Sequence, residues 1–216
     1  MSGISWSDLG FDRPQVMAIL NVTPDSFADG GELYGRLETV IDRAAQYLRS
    51  GASILDIGGE STRPGASPVS EAEELDRVIP VVEAIKSRFD CFVSIDTSTP
   101  IVMREGALRG VDIINDVRAL TREGALEAAS DIRLPVCLMH MQGTPVSMQK
   151  EPQYDNVVND VLSWLLKRIE HCFDHGIEAR RIAIDPGFGF GKKLEHNIEL
   201  FRGLEHFIAT GYPVMV

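Results

Sequence analysis

Residues 92–115 read FVSIDTSTPIVMREGALRGVDIIN, and their order of apolar and polar positions sets the fold. Phe92 to Ile95 is a short apolar run stopped by Asp96. Thr99-Pro100 supplies an N-cap and an N1 proline to a helix predicted to end near Gly110, and Ile113-Ile114 is a second run, stopped by Asn115. The same phrase recurs on both sides. Val16 to Leu20 stops at Asn21, Ile54-Leu55-Asp56-Ile57 reaches Glu60, Val136 to Met139 stops at His140, and Ile182-Ala183-Ile184 stops at Asp185. Strands buried on both faces read as short apolar runs, and their alternation with amphipathic helices implies a parallel sheet with its ligand chemistry at the carboxyl edge.

The helices between the runs carry their own signals. Arg36 to Ser50 places Leu37, Val40, Ile41, Ala44, Ala45 and Leu48 on one face, with Gly51 as the left-handed stop. Ser70-Glu71-Ala72-Glu73 is a capping box, and Pro80 should kink the helix that follows. Glu123 to Ser130, Tyr154 to His175 and Leu194 to Leu204 complete six helices, and Tyr212 to Val216 begins a seventh strand. An open doubly wound sheet is one solution, but it concentrates ligand contacts at a single switch point. Polar residues at six strand ends favour the mouth of a (β/α)8 TIM barrel, which typically takes about 250 residues. The expected fold class is therefore α/β, a barrel present only through strand 7. Residues 1–216 are expected to form a single barrel domain truncated at its C-terminus, whose ligand class the loop motifs below imply.

A formal net charge of −11 argues against nucleic acid as a partner, because phosphate binding needs Lys and Arg to displace counterions. Cys91, Cys137 and Cys172 follow neither a metal spacing nor a disulfide framework, which points to a reducing compartment. No apolar stretch reaches the roughly 20 residues of a spanning helix, and no signal-peptide pattern opens the chain. A cytoplasmic protein without membrane contact is expected.

Two loops would crown the same barrel edge: Asn21-Val-Thr-Pro-Asp-Ser-Phe27 running on to Asp29-Gly30-Gly31, and Gly58-Gly-Glu-Ser-Thr-Arg-Pro-Gly65. With Ser94-Ile-Asp-Thr97, Ile114-Asn-Asp116, Leu138-Met-His-Met-Gln-Gly143 and Asp185-Pro-Gly-Phe-Gly-Phe-Gly-Lys192, they make a set of motifs in fixed order. In this set the chain resembles the dihydropteroate synthases of the folate pathway, transferases that join 6-hydroxymethyl-7,8-dihydropterin diphosphate to p-aminobenzoate with magnesium and release pyrophosphate. The resemblance implies that Asp185 anchors the pterin edge, with Asp96 and Asn115 on the remaining ring nitrogens and Met139 and Phe190 on its faces. It implies Asn21 as the protein ligand of Mg2+. Thr62 and Arg63 would meet the diphosphate or the aminobenzoate, Phe27 and Pro64 would wall the aminobenzoate, which sulfonamides mimic, and Asp29 would face the developing cation. Asn21, Asp29, Thr62, Arg63 and Asp96 are then the catalytic set. A homodimer is implied only for the full-length chain, and the family's later Ser-Arg-Lys and Arg-x-His motifs are absent from these residues.

Gly187 to Lys192 fails the Walker spacing, so its glycines are read as freeing the backbone for Phe190, and Lys192 is expected to be a solvated charge. His140 is left outside the site as a structural hydrogen-bonder. Two other readings stay open: a pterin-binding paralogue without synthase activity, and a folate-dependent methyltransferase domain, which would have no use for a diphosphate site.

Overall fold

A computed structural model describes residues 5–10, 13–23, 33–61, 69–143, 148 and 152–216, with the backbone alone over 33–36. Its elements alternate along the chain: β1 (Met17–Asn21), α1 (Leu33–Arg49), β2 (Ile54–Gly58), α2 (Glu71–Arg88), β3 (Phe92–Asp96), α3 (Pro100–Leu108) and β4 (Ile113–Asp116). Then follow α4 (Ala125–Ile132), β5 (Val136–Met139), α5 (Val157–Asp174), β6 (Ile182–Asp185), α6 (Leu194–Arg202) and α7 (Leu204–Ile208). The six strands form one parallel sheet in sequence order, as successive βα units dictate. Among the described residues the barrel is not closed. Of the expected seventh strand, the described residues make one bridge, Ile184 to Val214, in which Ile184 N–H donates to Pro213 O and Met215 N–H donates to Ile184 O.

Local chemistry moves several helix ends from their expected places. The capping box forms: Glu73 N–H donates to Ser70 Oγ, and Ser70 N–H donates to the Glu73 carboxylate. The helix behind it runs on as one element through Pro80. Gly124 turns left-handed at φ +79°, so α4 starts at Ala125 rather than Glu123. Asn156 caps α5 through Asn159 N–H, which leaves Tyr154 outside the helix. α6 ends at Arg202, two residues short of the expected Leu204, and Gly203, where a Cβ would come within 2.7 Å of Val158 Cγ2, separates it from the short α7.

Alternation along each strand sorts the sheet into two faces. Leu20, Ile57, Ile95, Ile114, Leu138 and Ile184 belong to the large core shared with the helices. The other set, two residues apart on every strand, faces the barrel interior. At the N-terminal end this interior is apolar: Ile54, Ile113, Cys137 and Ala183 cluster with Trp6 and Leu9. A single 3-10 turn, Trp6–Leu9, is thereby a floor to the barrel. Trp6 Nε1 donates to Arg181 O at 2.9 Å and to Val136 O at 3.2 Å, so the floor is hydrogen-bonded to the ends that start β5 and β6. No helix among the described residues is long and apolar enough to cross a membrane.

Replacing Trp6 by Ala in the complete protein should cost about 3–5 kcal/mol, because a buried aromatic is lost and the space under the interior is left partly empty. Urea unfolding measures this. An unchanged midpoint would show that the turn is not a floor.

Candidate active site

At the C-terminal end the inner face turns polar, two residues beyond the apolar floor on each strand. The parallel register sets Asn21 beside Gly58, Gly58 beside Asp96, and Asp96 beside Asn115. One layer closer to the floor lie Asp56 and Ser94, also paired in register. Met139 and Asp185 face each other one layer above Cys137 and Ala183. The structure thus gathers Asn21, Asp96, Asn115, Met139 and Asp185, all five of the expected strand-end residues, on the inner side of one sheet edge. Gly58 keeps the row open: a Cβ there would lie 3.2 Å from Asn21 Oδ1 and 3.6 Å from Asp96 Oδ2. Phe190 follows in the β6 loop, half-buried. Phe27, Asp29, Thr62, Arg63 and Pro64 lie outside the described residues.

Burial of these acids sets their electrostatics. Asp96 makes no hydrogen bond to the described residues, and its carboxyl is pushed well above the usual carboxylate range, first by burial and then by the charges of Asp56, Asp116, Glu74 and Glu60. Asp56 is raised by burial, opposed by the Ser94 hydroxyl and the Asn115 amide beside it. Asn115 Nδ2 donates to Asp56 Oδ2 at 3.0 Å, whereas Asp56 Oδ1 and Ser94 Oγ are buried with no partner of hydrogen-bond geometry among the described residues. Asp116 is different in kind. It accepts from Ser98 Oγ, Arg118 N–H and Leu120 N–H, and so fastens the turn in which Ala119 and Leu120 adopt φ of 49° and 59°.

The second loop is anchored at its start from two sides. Arg77 Nη1 donates to Gly59 O at 2.9 Å, and Arg118 holds Glu60 through Nη1 at 2.9 Å. Beneath Gly59 the buried Glu74 accepts from the Thr97 and Thr99 hydroxyls, so Thr99, expected to cap α3, turns its side chain to α2 instead.

The corner between β5 and β6 departs most from expectation. Lys192, expected in solvent, is only 3% exposed. Its Nζ lies 2.8 Å from Gly187 O, 2.9 Å from Phe190 O, 3.2 Å from His140 O and 3.1 Å from His140 Nδ1. The reason is the loop itself: Gly187, Gly189 and Gly191 all take positive φ, which turns carbonyls inward around one cation. Gly187 packs so closely on His140 that a Cβ would overlap its carbonyl oxygen, and a Cβ on Gly191 would come 2.7 Å from Gln142 O. Burial lowers the Lys192 pKa to about 7 and, with the Lys192 charge, that of His140 to about 3. Burial raises Asp185 to about 6, against the Gly187 N–H that Asp185 Oδ1 accepts at 2.6 Å and against the charge of Lys192.

The sequence profile of the pterin binding enzyme family matches residues 17–216. A dihydropteroate synthase of Haemophilus influenzae is 53% identical over 207 residues, covering 96% of this chain and 75% of the relative. The crystal structure of the Yersinia pestis dihydropteroate synthase with a sulfonamide drug complex superposes with a TM-score of 0.90 at 50% identity, over 99% of this chain and 78% of that one. A Xanthomonas albilineans dihydropteroate synthase with 4-aminobenzoic acid gives a TM-score of 0.88 at 47% identity, over 94% and 72% of the two chains. The chain belongs to the dihydropteroate synthase family.

In this member of the dihydropteroate synthase family, residues that sequence reasoning passed over are mostly those buried behind the site. Asp56 did carry a signal, a carboxylate inside an otherwise apolar strand. Lys192 carried one only in combination, as a lysine closing a run of three spaced glycines.

The raised acids make a stability prediction. A carboxyl whose folded pKa exceeds its unfolded value contributes stability that is present below the unfolded pKa and lost as pH rises through the folded one. At neutral pH and above, Asp96 therefore works against the ligand-free fold. Asp96→Asn should unfold at a higher denaturant concentration than wild type at pH 8, with the gap closing at pH 4. A variant less stable than wild type at pH 8 would contradict the burial argument.

Proposed function

We propose that this protein is a dihydropteroate synthase of folate biosynthesis, condensing 6-hydroxymethyl-7,8-dihydropterin diphosphate with p-aminobenzoate. The observation that carries this reading is the set Asn21, Asp96, Asn115, Met139 and Asp185 on the inner face of one sheet edge, in two successive layers. The three matched proteins are all dihydropteroate synthases, which favours synthase over the methyltransferase and binding-paralogue readings.

The roles follow from donor and acceptor chemistry. The 2-amino-pyrimidinone edge of a pterin offers adjacent N–H donors, and an ionised Asp185 accepts them as a pair, each charge-assisted bond worth roughly 1.5–3 kcal/mol. Asn115 gives its Nδ2 to Asp56, which leaves its Oδ1 for a ring donor. Asp96, without a hydrogen bond to the described residues, is available to a second ring nitrogen. Met139 and Phe190 would cover the two faces of the ring.

The second half of the site lies in the two loops. Thr62 and Arg63 would receive the diphosphate or the aminobenzoate, Phe27 and Pro64 would flank the amine, and Asp29 would face the electron-poor methylene. The anchoring of Gly59 and Glu60 by Arg77 and Arg118 gives the second loop a fixed start. Among the described residues no three His, Cys, Asp or Glu side chains converge as a metal site. Magnesium fits nonetheless, since it keeps several waters and substrate phosphates and needs few protein ligands. Asn21 would supply one neutral oxygen from the open space over Gly58. Bound magnesium would neutralise the charge of the diphosphate.

The amine of p-aminobenzoate is neutral at pH 7 and attacks through its own lone pair. Its nitrogen bonds to the pterin methylene, the methylene–oxygen bond breaks, pyrophosphate departs with the electron pair, and the amine proton passes to water. Catalysis reduces to alignment and to stabilising charge that develops on the ring and leaving group. The net charge of −11 and the three unpaired cysteines support a cytoplasmic setting. The implied homodimer is tested by sedimentation of the complete protein.

The complete protein should release pyrophosphate only when both substrates are present. Asp185→Asn should abolish this and reduce pterin affinity by more than 100-fold on the order expected for two charge-assisted bonds. For wild type, binding that needs ionised Asp185 should weaken about tenfold between pH 7 and pH 5, since the acid titrates near 6. Calorimetry with a pterin ligand measures both. Undiminished affinity in the variant would remove Asp185 from the site.

A further inference from the structure

Lys192 is a buried cation that the reaction does not touch. Three of its contacts are backbone carbonyls from two different loops: Gly187 O and Phe190 O after β6, and His140 O after β5. A neutral amine has two protons to give and the ammonium has three, so four surrounding acceptors, three carbonyls and His140 Nδ1, select the charged form with one proton shared. The fourth contact then fixes the imidazole. His140 Nδ1 faces a group with only donors, so this nitrogen accepts, and the ring proton sits on Nε2.

The same cation reaches both pterin contacts of the β6 loop. Gly187 is held on either side, its carbonyl by Lys192 and its N–H by Asp185 Oδ1, while Lys192 also takes the carbonyl of Phe190. Tyr154 Oη adds a bond of 2.7 Å to Gly191 O, and His140 N–H donates to Asp185 O at 2.9 Å. Of the titratable groups facing Asp185 and Lys192, Cys137 on β5 and His140 after it are neutral near pH 7. Burial, with acids nearby, pushes the Cys137 thiol well up, and His140 is lowered to about 3. Tyr154, raised to about 12 chiefly by burial, is neutral as well, and His196 lies beyond it with ring centroids 4.9 Å apart. Among these neighbours, Lys192 and Asp185 are the facing pair whose charges count.

We propose that Lys192 is a positioning residue for the pterin subsite: it ties the β6 loop to the end of β5, aims Asp185 and Phe190, and supplies the positive charge that keeps Asp185 an acceptor. The proposal rests on the reading of Asp185 as the pterin anchor. Among the described residues the hydrogen bonds of Lys192 all run to the segments after β5 and β6, so its effect is expected on the pterin half of the site.

The test uses the complete protein as wild type, Lys192→Met and Lys192→Gln. Pterin affinity is measured by calorimetry with 6-hydroxymethylpterin from pH 5 to pH 8, and KM for p-aminobenzoate at saturating pterin diphosphate. Loss of the charge should move the acid limb of the profile upward by about one pH unit, about a twofold loss at pH 7, and loss of the loop tether with it should bring the weakening of pterin binding to at least tenfold, leaving KM for p-aminobenzoate within about twofold. In wild type, nitrogen NMR of His140 should show the Nε2–H tautomer, a measurement that stands even where the variants fail to fold. An Nδ1–H tautomer, an unmoved acid limb, or equal losses for both substrates would overturn the proposal. Wild type that binds no pterin at any pH would overturn instead the reading of the site itself.

Discussion

The parallel backbone ladder is the constraint on which the site depends. Side chains on neighbouring strands do not choose their partners; register does. Because Asn21, Gly58, Asp96 and Asn115 occupy one continuous row, a glycine in that row leaves room between an amide and a carboxylate. A slip of one residue on any strand would send its polar end to the helix side, where Leu20, Ile57 and Ile95 now pack. The helices therefore specify the site indirectly, by requiring the apolar alternates to face them.

That arrangement stores an electrostatic conflict. Several acids share a low-dielectric interior, and Asp96 in particular meets the charges of four others. Cations are present but distributed with care. Arg118 is spent on Glu60 and Lys192 on loop carbonyls, so neither satisfies the inner row directly. The inner face is consequently a place where buried carboxyls oppose one another, and the opposition is confined to the mouth, since the floor beneath it is apolar.

Much of this was legible in the sequence because strand ends are. A short apolar run stopped by Asn, Asp or His announces an element and its carboxyl edge, and Asn21, Asp96, Asn115 and Asp185 all lie at strand ends as that reading expects, whereas Met139, inside its run, was singled out by the resemblance alone. Motif resemblance supplied their roles. Lys192 was misread because nothing local distinguishes a lysine in a glycine-rich loop from one in water; its burial depends on His140, distant in sequence and adjacent only across the β5–β6 ladder. The end of α6 at Gly203, where the backbone comes close to Val158, is likewise set by a neighbour rather than by periodicity.

The two tryptophans of the chain stand at opposite ends of this layout. Trp6 is buried in the floor with its indole N–H bound to two backbone carbonyls, and Trp164 on α5 meets the His140 ring edge-on, with centroids 5.1 Å apart. Their emission is accordingly a pair of built-in optical reporters. One answers to the integrity of the closed end, and the other to the imidazole beside the ligand-binding corner. Single-tryptophan versions would let the loosening of the base and the occupancy of the rim be followed separately in the same molecule.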